Sequence, residues 1–420
     1  MSFNNKEILK YCSLFLLISL PFSLIFSILI AEIITGFLGL IGLYWIIYNN
    51  NFREKIKYTF KPLLILVSFY ILILVSLFFS DNFLKSFPPS FFYFRYFLLS
   101  LAIFYIVSEY KYSLKLILNS ILILITIILF DSLIDLYQYK NDEYFFLTSY
   151  FGDEKKLGSF LVRLLPFTIA IIIYLDEKIY KKIYIEIIII SIVGFLIYFA
   201  NERMAFFYFF CFLIFYLKIL KNKFFIIVPL IFIILLSLTQ KKYFNKYFYA
   251  TLNQFGIVNT FSLREDTKFT LSNIHYISLE HEKLIKSGFE IFKENFITGS
   301  GLKTYHKVCQ EIRVRKSLDI ECSTHPHNTY IQIISDIGIF GGLIIFSIFI
   351  YILRINFKII KKKEISKNLK CYYILNIGII INLMPLVPSG SFFNNWINLM
   401  IYFPFGLWLY MYHLIKVKNG

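Results

Sequence analysis

Two imidazoles and a carboxamide stand together in His325-Pro326-His327-Asn328, where a long polar stretch ends and an apolar run from Thr329 to Leu353 begins. Ionisable groups are costly beside hydrocarbon, so a cluster at such a junction faces a water-filled cavity or a polar substrate by default. Imidazole titrates near neutrality and takes a proton from a hydroxyl readily, which makes His327 a candidate general base. The plain alternative is an interfacial cap, with Asn328 closing a helix start and the histidines reaching for the headgroups. A lone His325-x-His327 pair with no spaced carboxylate or cysteine is a weak zinc signal, so no metal and no cofactor is expected.

Arginines supply the second kind of chemistry. Arg203, in Asn201-Glu202-Arg203-Met204-Ala205, lies at the outer end of an apolar segment, and Arg163 lies inside another, three residues before Pro166. A guanidinium there offers a planar fork suited to phosphate oxygens. An ion pair with Glu202 or Glu154 is the structural alternative. Arg264, Arg313 and Arg315 in the polar stretch are candidates for a second cation, while Arg95 reads as interfacial. Cys12, Cys211 and Cys371 fall in apolar segments and read as small core residues. Cys309 and Cys322 flank Arg313, Arg315 and Lys316 in the polar stretch, on the side of the membrane that favours oxidation. A bond between them would hold those arginines just before the histidines; two free thiols are the alternative, since sequence supplies no geometry.

The elements that position these groups follow from composition. With 58% hydrophobic and 20% aromatic residues and a mean hydropathy of +0.68, the 420-residue chain is too apolar for a soluble multidomain protein. An all-α polytopic membrane protein is expected. About twelve spans are expected, since each needs about 20 apolar residues. They fall near 11–30, 33–49, 62–79, 90–107, 114–133, 157–175, 183–200, 203–219, 224–240, 328–353, 370–387 and 392–413. The first follows Lys6 and Lys10 without a small-residue cleavage site and reads as a retained span.

The charge of +17 is a topology signal. Basic residues gather in alternate loops: Arg53 to Lys61, Lys178 to Lys182, Lys218 to Lys223, and Arg354 to Lys370. The positive-inside rule then puts both termini in the cytoplasm and residues 241–327 outside it, with anionic membrane lipids as partners of the basic loops. No aromatic stacking platform accompanies the basic runs, so nucleic acid is not expected as a partner. Three regions result: a nine-span membrane region at 1–240, an extracytoplasmic loop at 241–327 with the candidate site at its end, and a three-span region at 328–420. Outer segments this long carry a site or a lid. One holds Asp135, Asp142, Glu143, Asp153 and Glu154; in the other, Ile285, Phe289, Phe292 and Phe296 recur at helical spacing and predict an amphipathic helix from Leu279 to Phe296, broken by Gly299-Ser300-Gly301.

With these residues assembled, a resemblance emerges. His327-Asn328, nine residues, Gly338, two residues and Gly341 are similar to the motif of the O-antigen ligase and polymerase family. Phe151-Gly152-Asp153-Glu154 with Gly158-Ser159, Glu202-Arg203, Phe296 to Leu302, and Ser323 to Asn328 resemble that family in order along the chain. Ligases of the family often have two threonines after the second glycine, where this chain has Gly342 and Leu343. The resemblance implies a metal-independent inverting glycosyltransferase. The donor would be a glycan on polyprenyl (undecaprenyl) diphosphate, and the acceptor a sugar hydroxyl of lipid A core or of a growing glycan, on the periplasmic face of a bacterial inner membrane. His327 would be the base and Arg203 a diphosphate contact, with Arg163, Arg264, Arg313, Arg315, Glu154, His325 and Asn328 at the substrates. Cys309, Cys322, Gly299, Gly301, Gly338 and Gly341 would be structural. A transporter or lipid flippase is the reading from another class, but such proteins show repeated halves with broken helices, and no repeat is visible here. A scaffold for glycan assembly is the third reading.

Overall fold

The computed structural model describes residues 5–139, 145–175, 179–220, 227–255 and 274–419. Arg264, Asp142 and Glu143 lie outside the described residues. Within them the regular structure is helical, with no strand. The first part holds α1 (Asn5–Phe26), α2 (Ile28–Tyr48), α3 (Asn50–Tyr58), α4 (Phe60–Phe78), α5 (Phe83–Phe91), α6 (Phe94–Glu109) and α7 (Ser113–Gln138). Then come α8 (Leu157–Leu175), α9 (Ile179–Ala200), α10 (Arg203–Leu217), α11 (Ile227–Thr239) and α12 (Lys241–Gln254). The polar stretch forms α13 (Leu279–Glu294) and α14 (Tyr305–Lys316), and the chain closes with α15 (Thr329–Ile360), α16 (Lys367–Asn382) and α17 (Asn395–Asn419).

Eight segments among the described residues are long and apolar enough to cross a membrane, which makes this a multi-pass membrane protein. That is fewer than the twelve expected. The helices at Arg203–Leu217 and Ile227–Leu238 are apolar but shorter, and α16 ends at Asn382, before Pro385 and Pro388. The expected run at 11–30 is divided at Ser27, whose extended backbone and side-chain bond from the Ile30 N–H start α2 afresh.

Close helix contact in such an array relies on small residues rather than on a solvent-driven core. Helix α6 packs between α2 and α17. A Cβ on Gly42 would come within 3.0 Å of Ala102 Cβ, and one on Gly406 within 2.5 Å of Ile103 Cβ, so both contacts need the bare backbone. Helix α16 lies against α8, with Gly378 opposite Pro166. At the basic end of the array Lys55 of α3 pairs with Glu109 at 2.5 Å. The opposite end carries the polar loops and the histidines, and there Arg95 is tied to Glu32 at 2.7 Å.

Helix α13 presents a different face to the protein from the one expected. Leu284, Ser287, Gly288 and Ile291 are buried, while Phe289 and Phe296 are exposed. The small pair Ser287-Gly288 lets α13 close on its neighbours; a Cβ on Gly288 would lie 2.3 Å from Ile331 Cγ2 of α15. The phenylalanine stripe is therefore left on the outer flank. Ile291, Tyr305, Val308, Cys309, Ile312 and Ile320 form a small core of their own between α13 and α14.

Candidate functional site

His327 owes its position to the start of α15. Asn328 is the N-cap, its side-chain oxygen accepting from the N–H groups of Tyr330 at 3.0 Å and Ile331 at 3.1 Å. Its amide nitrogen donates to Val387 O at 3.4 Å. The Asn328 carboxamide, expected at the substrate, is thus committed to holding the helix start against the 383–391 loop. The same loop grips His327: the Ser389 N–H donates to His327 O at 2.8 Å, and Thr329 Oγ1 donates to Ser389 Oγ at 2.9 Å. His327 adopts a positive φ of 50°, a left-handed conformation uncommon outside glycine and maintained here from both sides.

Three imidazoles converge. The His325 and His327 ring centroids are 4.1 Å apart, and His281 stands edge-on to His327 at 6.0 Å. His281 was not singled out as a site residue from sequence. Its signal is local: Ser278 caps α13, its hydroxyl accepting the His281 N–H at 3.2 Å and lying 2.7 Å from Nδ1 of the same residue. Thr324 Oγ1 lies 3.0 Å from His325 Nδ1, while His325 Nε2 is buried without a partner. Burial lowers the pKa of all three rings; the neighbouring His281 lowers His327 further, and His325 is pushed down to about 4. Near neutral pH each ring is then uncharged and able to accept a proton. No group of three or more His, Cys, Asp or Glu among the described residues has the arrangement of a metal site.

The charge of Arg203 bears on His281. Arg203 opens α10, and the residue before it sets its place. Glu202 accepts the N–H groups of Gly158 at 2.6 Å and Ser159 at 3.0 Å, a carboxylate clamp on the first turn of α8. A Cβ on Gly158 would lie 2.9 Å from Ala205 Cβ, so the two helix starts are in direct contact. Two motif segments more than forty residues apart in sequence form one joint. Arg163 lies one to two turns further into α8, buried, its Nε donating to Asn382 Oδ1 at 2.9 Å and its Nη1 to Ser159 O at 3.0 Å. With Asn382 it is a polar point in the wall of an otherwise largely apolar cavity of about 330 Å³, which runs between α4, α8, α15, α16 and α17 towards Lys61 and Tyr412.

Other sequence candidates lie elsewhere. Glu154 is exposed and paired with Lys156. Arg313 is exposed, and Arg315 is paired with Glu294 at the far end of α13, about 20 Å along that helix from His281. Cys309 and Cys322 form a disulfide with a Cα–Cα separation of 5.6 Å. It closes the loop that returns from α14 to the histidines, and His306 Nδ1, 3.0 Å from Cys322 O, braces the same strand of chain.

The glycines join the outer hairpin to the membrane helix. Helix α15 is interrupted at Gly338, with φ 77° and ψ −176°, about 14 Å below its start. Irregular backbone at membrane depth must find its hydrogen bonds within the protein. Here the 296–301 segment supplies them: Ser300 N donates to Ser335 O at 2.9 Å, Gly301 N to Asp336 O at 3.0 Å, and Ile339 N to Phe296 O at 3.0 Å. Gly299 lies so close to α15 that a Cβ would come within 2.3 Å of the Asp336 carbonyl carbon. Gly341 fits beneath Ile337 one turn on, where a Cβ would meet Ile337 Cδ1 at 2.4 Å.

Residues 187–346, which include Arg203, His281, His327 and the break at Gly338, match the family model described as O-antigen ligase. No curated protein is similar enough to the chain to count as a match.

Proposed function

We propose that the chain, whose residues 187–346 match the family model described as O-antigen ligase, is a ligase-type glycosyltransferase that moves a glycan from a polyprenyl diphosphate to a sugar hydroxyl, such as one on lipid A core. The observation that carries this reading is the meeting of half-buried His327 with the His325 and His281 rings at 4.1 and 6.0 Å, with the charge of Arg203 bearing on His281. In the proposed step an imidazole nitrogen of His327 takes the hydroxyl proton as the acceptor oxygen bonds to the anomeric carbon. The bond from that carbon to the diphosphate breaks, the diphosphate leaving with the electron pair. Arg203 stabilises the charge that develops there, and no metal takes part. Inversion follows if the hydroxyl enters opposite the leaving group. The apolar cavity below Arg163 suits the hydrocarbon tail of such a donor. The setting is a bacterial inner membrane with both termini cytoplasmic and the site periplasmic, in keeping with the basic loops.

Gly342 and Leu343, where many ligases have two threonines, favour chain polymerisation as the second reading. Deletion of the gene followed by analysis of the surface glycan separates the two. Polymer left on its carrier with no capped lipopolysaccharide means ligase, and caps of a single repeat mean polymerase. Capped lipopolysaccharide of normal length would remove both.

Two kinetic outcomes follow from the same geometry. Arg203→Lys should lower transfer by a factor of about 10² to 10³, because one ammonium does not reproduce a bidentate fork. A variant within threefold of wild type in a reconstituted assay would move Arg203 away from the leaving group. The acid limb of the pH profile should lie below the ordinary histidine value of about 6.5, since burial and His281 both disfavour protonated His327. Activity is then full above that value and is lost as pH falls through the depressed pKa. His281→Asn should shift the limb towards higher pH; an unmoved limb would show that a different group titrates.

A further inference from the structure

His327 holds an uncommon backbone conformation, and the loop after α16 is one of its two supports, so whatever fixes that loop also fixes the histidine. At the start of the loop Leu383 O accepts from Tyr330 Oη at 2.8 Å, well before Ser389, the residue that grips the His327 carbonyl. Nearer to Ser389 the anchor is a side chain of α15. Gln332 is 3% exposed, and both its polar atoms are engaged. Oε1 accepts the Phe392 N–H at 2.8 Å, while Nε2 donates to Ser391 Oγ at 3.0 Å and to Asp336 Oδ2 at 3.2 Å.

Asp336 is fixed in turn by its backbone. Its carbonyl accepts from Gly301 N at 3.0 Å and from Ser76 Oγ of α4 at 2.6 Å, where α15, the glycine segment and α4 meet. Gln332 and Asp336 are one turn apart on α15 and share a face. A series of contacts therefore runs from that meeting point through the Asp336 carboxyl and the Gln332 carboxamide to Ser391 and Phe392, then through Ser389 to the His327 carbonyl. It does not pass through the Asn328 cap. A carboxamide suits its middle, because one atom must accept from a backbone N–H while the other donates to a carboxyl and a hydroxyl. Filling the space between α15 and the loop needs no such group, since an apolar side chain would do so without the cost of burying polar atoms. A fully satisfied polar network instead selects one arrangement of the segments it joins.

We propose that Gln332 is a positioning residue for His327: backed by Asp336, its carboxamide sets the 389–392 segment and, through Ser389, the place from which the imidazole meets the acceptor hydroxyl. This deepens the transferase reading and rests on it for the consequence in catalysis.

The test exchanges donor and acceptor across the Gln332–Asp336 contact. Gln332→Glu sets two carboxyl groups against each other and removes the donor between them. Adding Asp336→Asn restores the bond in the reverse direction, and the second oxygen of the introduced carboxylate still accepts the Phe392 N–H. Asp336 Oδ1 has no partner, so the exchange loses no other bond there. Two quantities are read on the full-length protein. One is kcat in a reconstituted transfer assay. The other needs no turnover: the rate at which diethyl pyrocarbonate modifies His327 relative to exposed His306, followed by mass spectrometry. Gln332→Leu and Gln332→Glu should each lower kcat by about 10- to 100-fold with KM changed by less than about threefold, and should alter the relative labelling of His327 by about threefold or more. Gln332→Glu/Asp336→Asn should return both quantities to within about fivefold of wild type. Wild-type kcat and labelling in Gln332→Leu overturn the proposal, as does a double variant no better than Gln332→Glu, a comparison that decides even where Gln332→Leu does not accumulate. Restored abundance without restored kcat or labelling marks a purely structural role and overturns it as well. Labelling that follows the exchange in a protein that transfers no glycan would sink the transferase reading and leave the positioning role standing.

Discussion

His327→Ala should reduce transfer by a factor of about 10² to 10⁴, the usual contribution of a positioned general base, while the protein stays in the membrane at normal abundance. The backbone at this position is held independently of the ring, through Ser389 to its carbonyl and through the Asn328 cap that follows. Removing the imidazole therefore leaves the start of α15 in place. The other histidines provide the contrast. His275 lies 3.3 Å from Glu282, and His306 braces the disulfide loop, so His275→Ala and His306→Ala should act on local stability and leave turnover within a few fold. His325→Ala should be intermediate, because its ring packs on His327 but its Nδ1 is engaged by Thr324. A chelator should leave the rate unchanged. Near-normal transfer by His327→Ala in a reconstituted assay, or loss of activity on chelation, would return the histidines to capping or to metal binding.

The class of fold was legible because burial in lipid leaves a compositional trace that no soluble protein of this size carries. The number of spans was not, because an apolar run does not reveal where a helix stops. Ser27 divides one run by capping, and the segment after Asn382 turns into the loop that holds His327. The candidate site was legible as residue type and position, at His327 and Arg203. It was hidden where a residue acts through a fold contact. Glu202 reads as a possible ion-pair partner of Arg203, yet its oxygens hold the first turn of α8. His281 was not singled out, and the side of α13 that packs inward is set by the size of Ser287 and Gly288 rather than by the phenylalanines. Arg315 looked available for a phosphate, but Glu294 takes it.

Gly338→Ala should damage the protein more than any other single methyl added to α15. A side chain at φ 77° and ψ −176° is strained whatever the space around it, a cost of about 1–3 kcal/mol. Space is also lacking, since the new Cβ would lie 2.0 Å from Ile297 O, a backbone atom that has no rotamer to change. Relief requires the 296–301 segment to lift from α15. That movement breaks the bonds from Ser300 and Gly301 to Ser335 and Asp336 and leaves carbonyls unpaired at membrane depth, each worth several kcal/mol. The expected outcome is a fall of several degrees in the melting temperature in detergent, at about 1 °C per kcal/mol for a chain of this size, with transfer lost. Gly299→Ala should behave alike, since its Cβ meets the same backbone from the other side. Gly36→Ala is the control, with nothing within 4 Å of its Cβ. If Gly338→Ala melts and transfers as Gly36→Ala does, the break in α15 is not what couples the outer hairpin to the membrane helix, and the position of His327 must be set by the 383–391 loop alone.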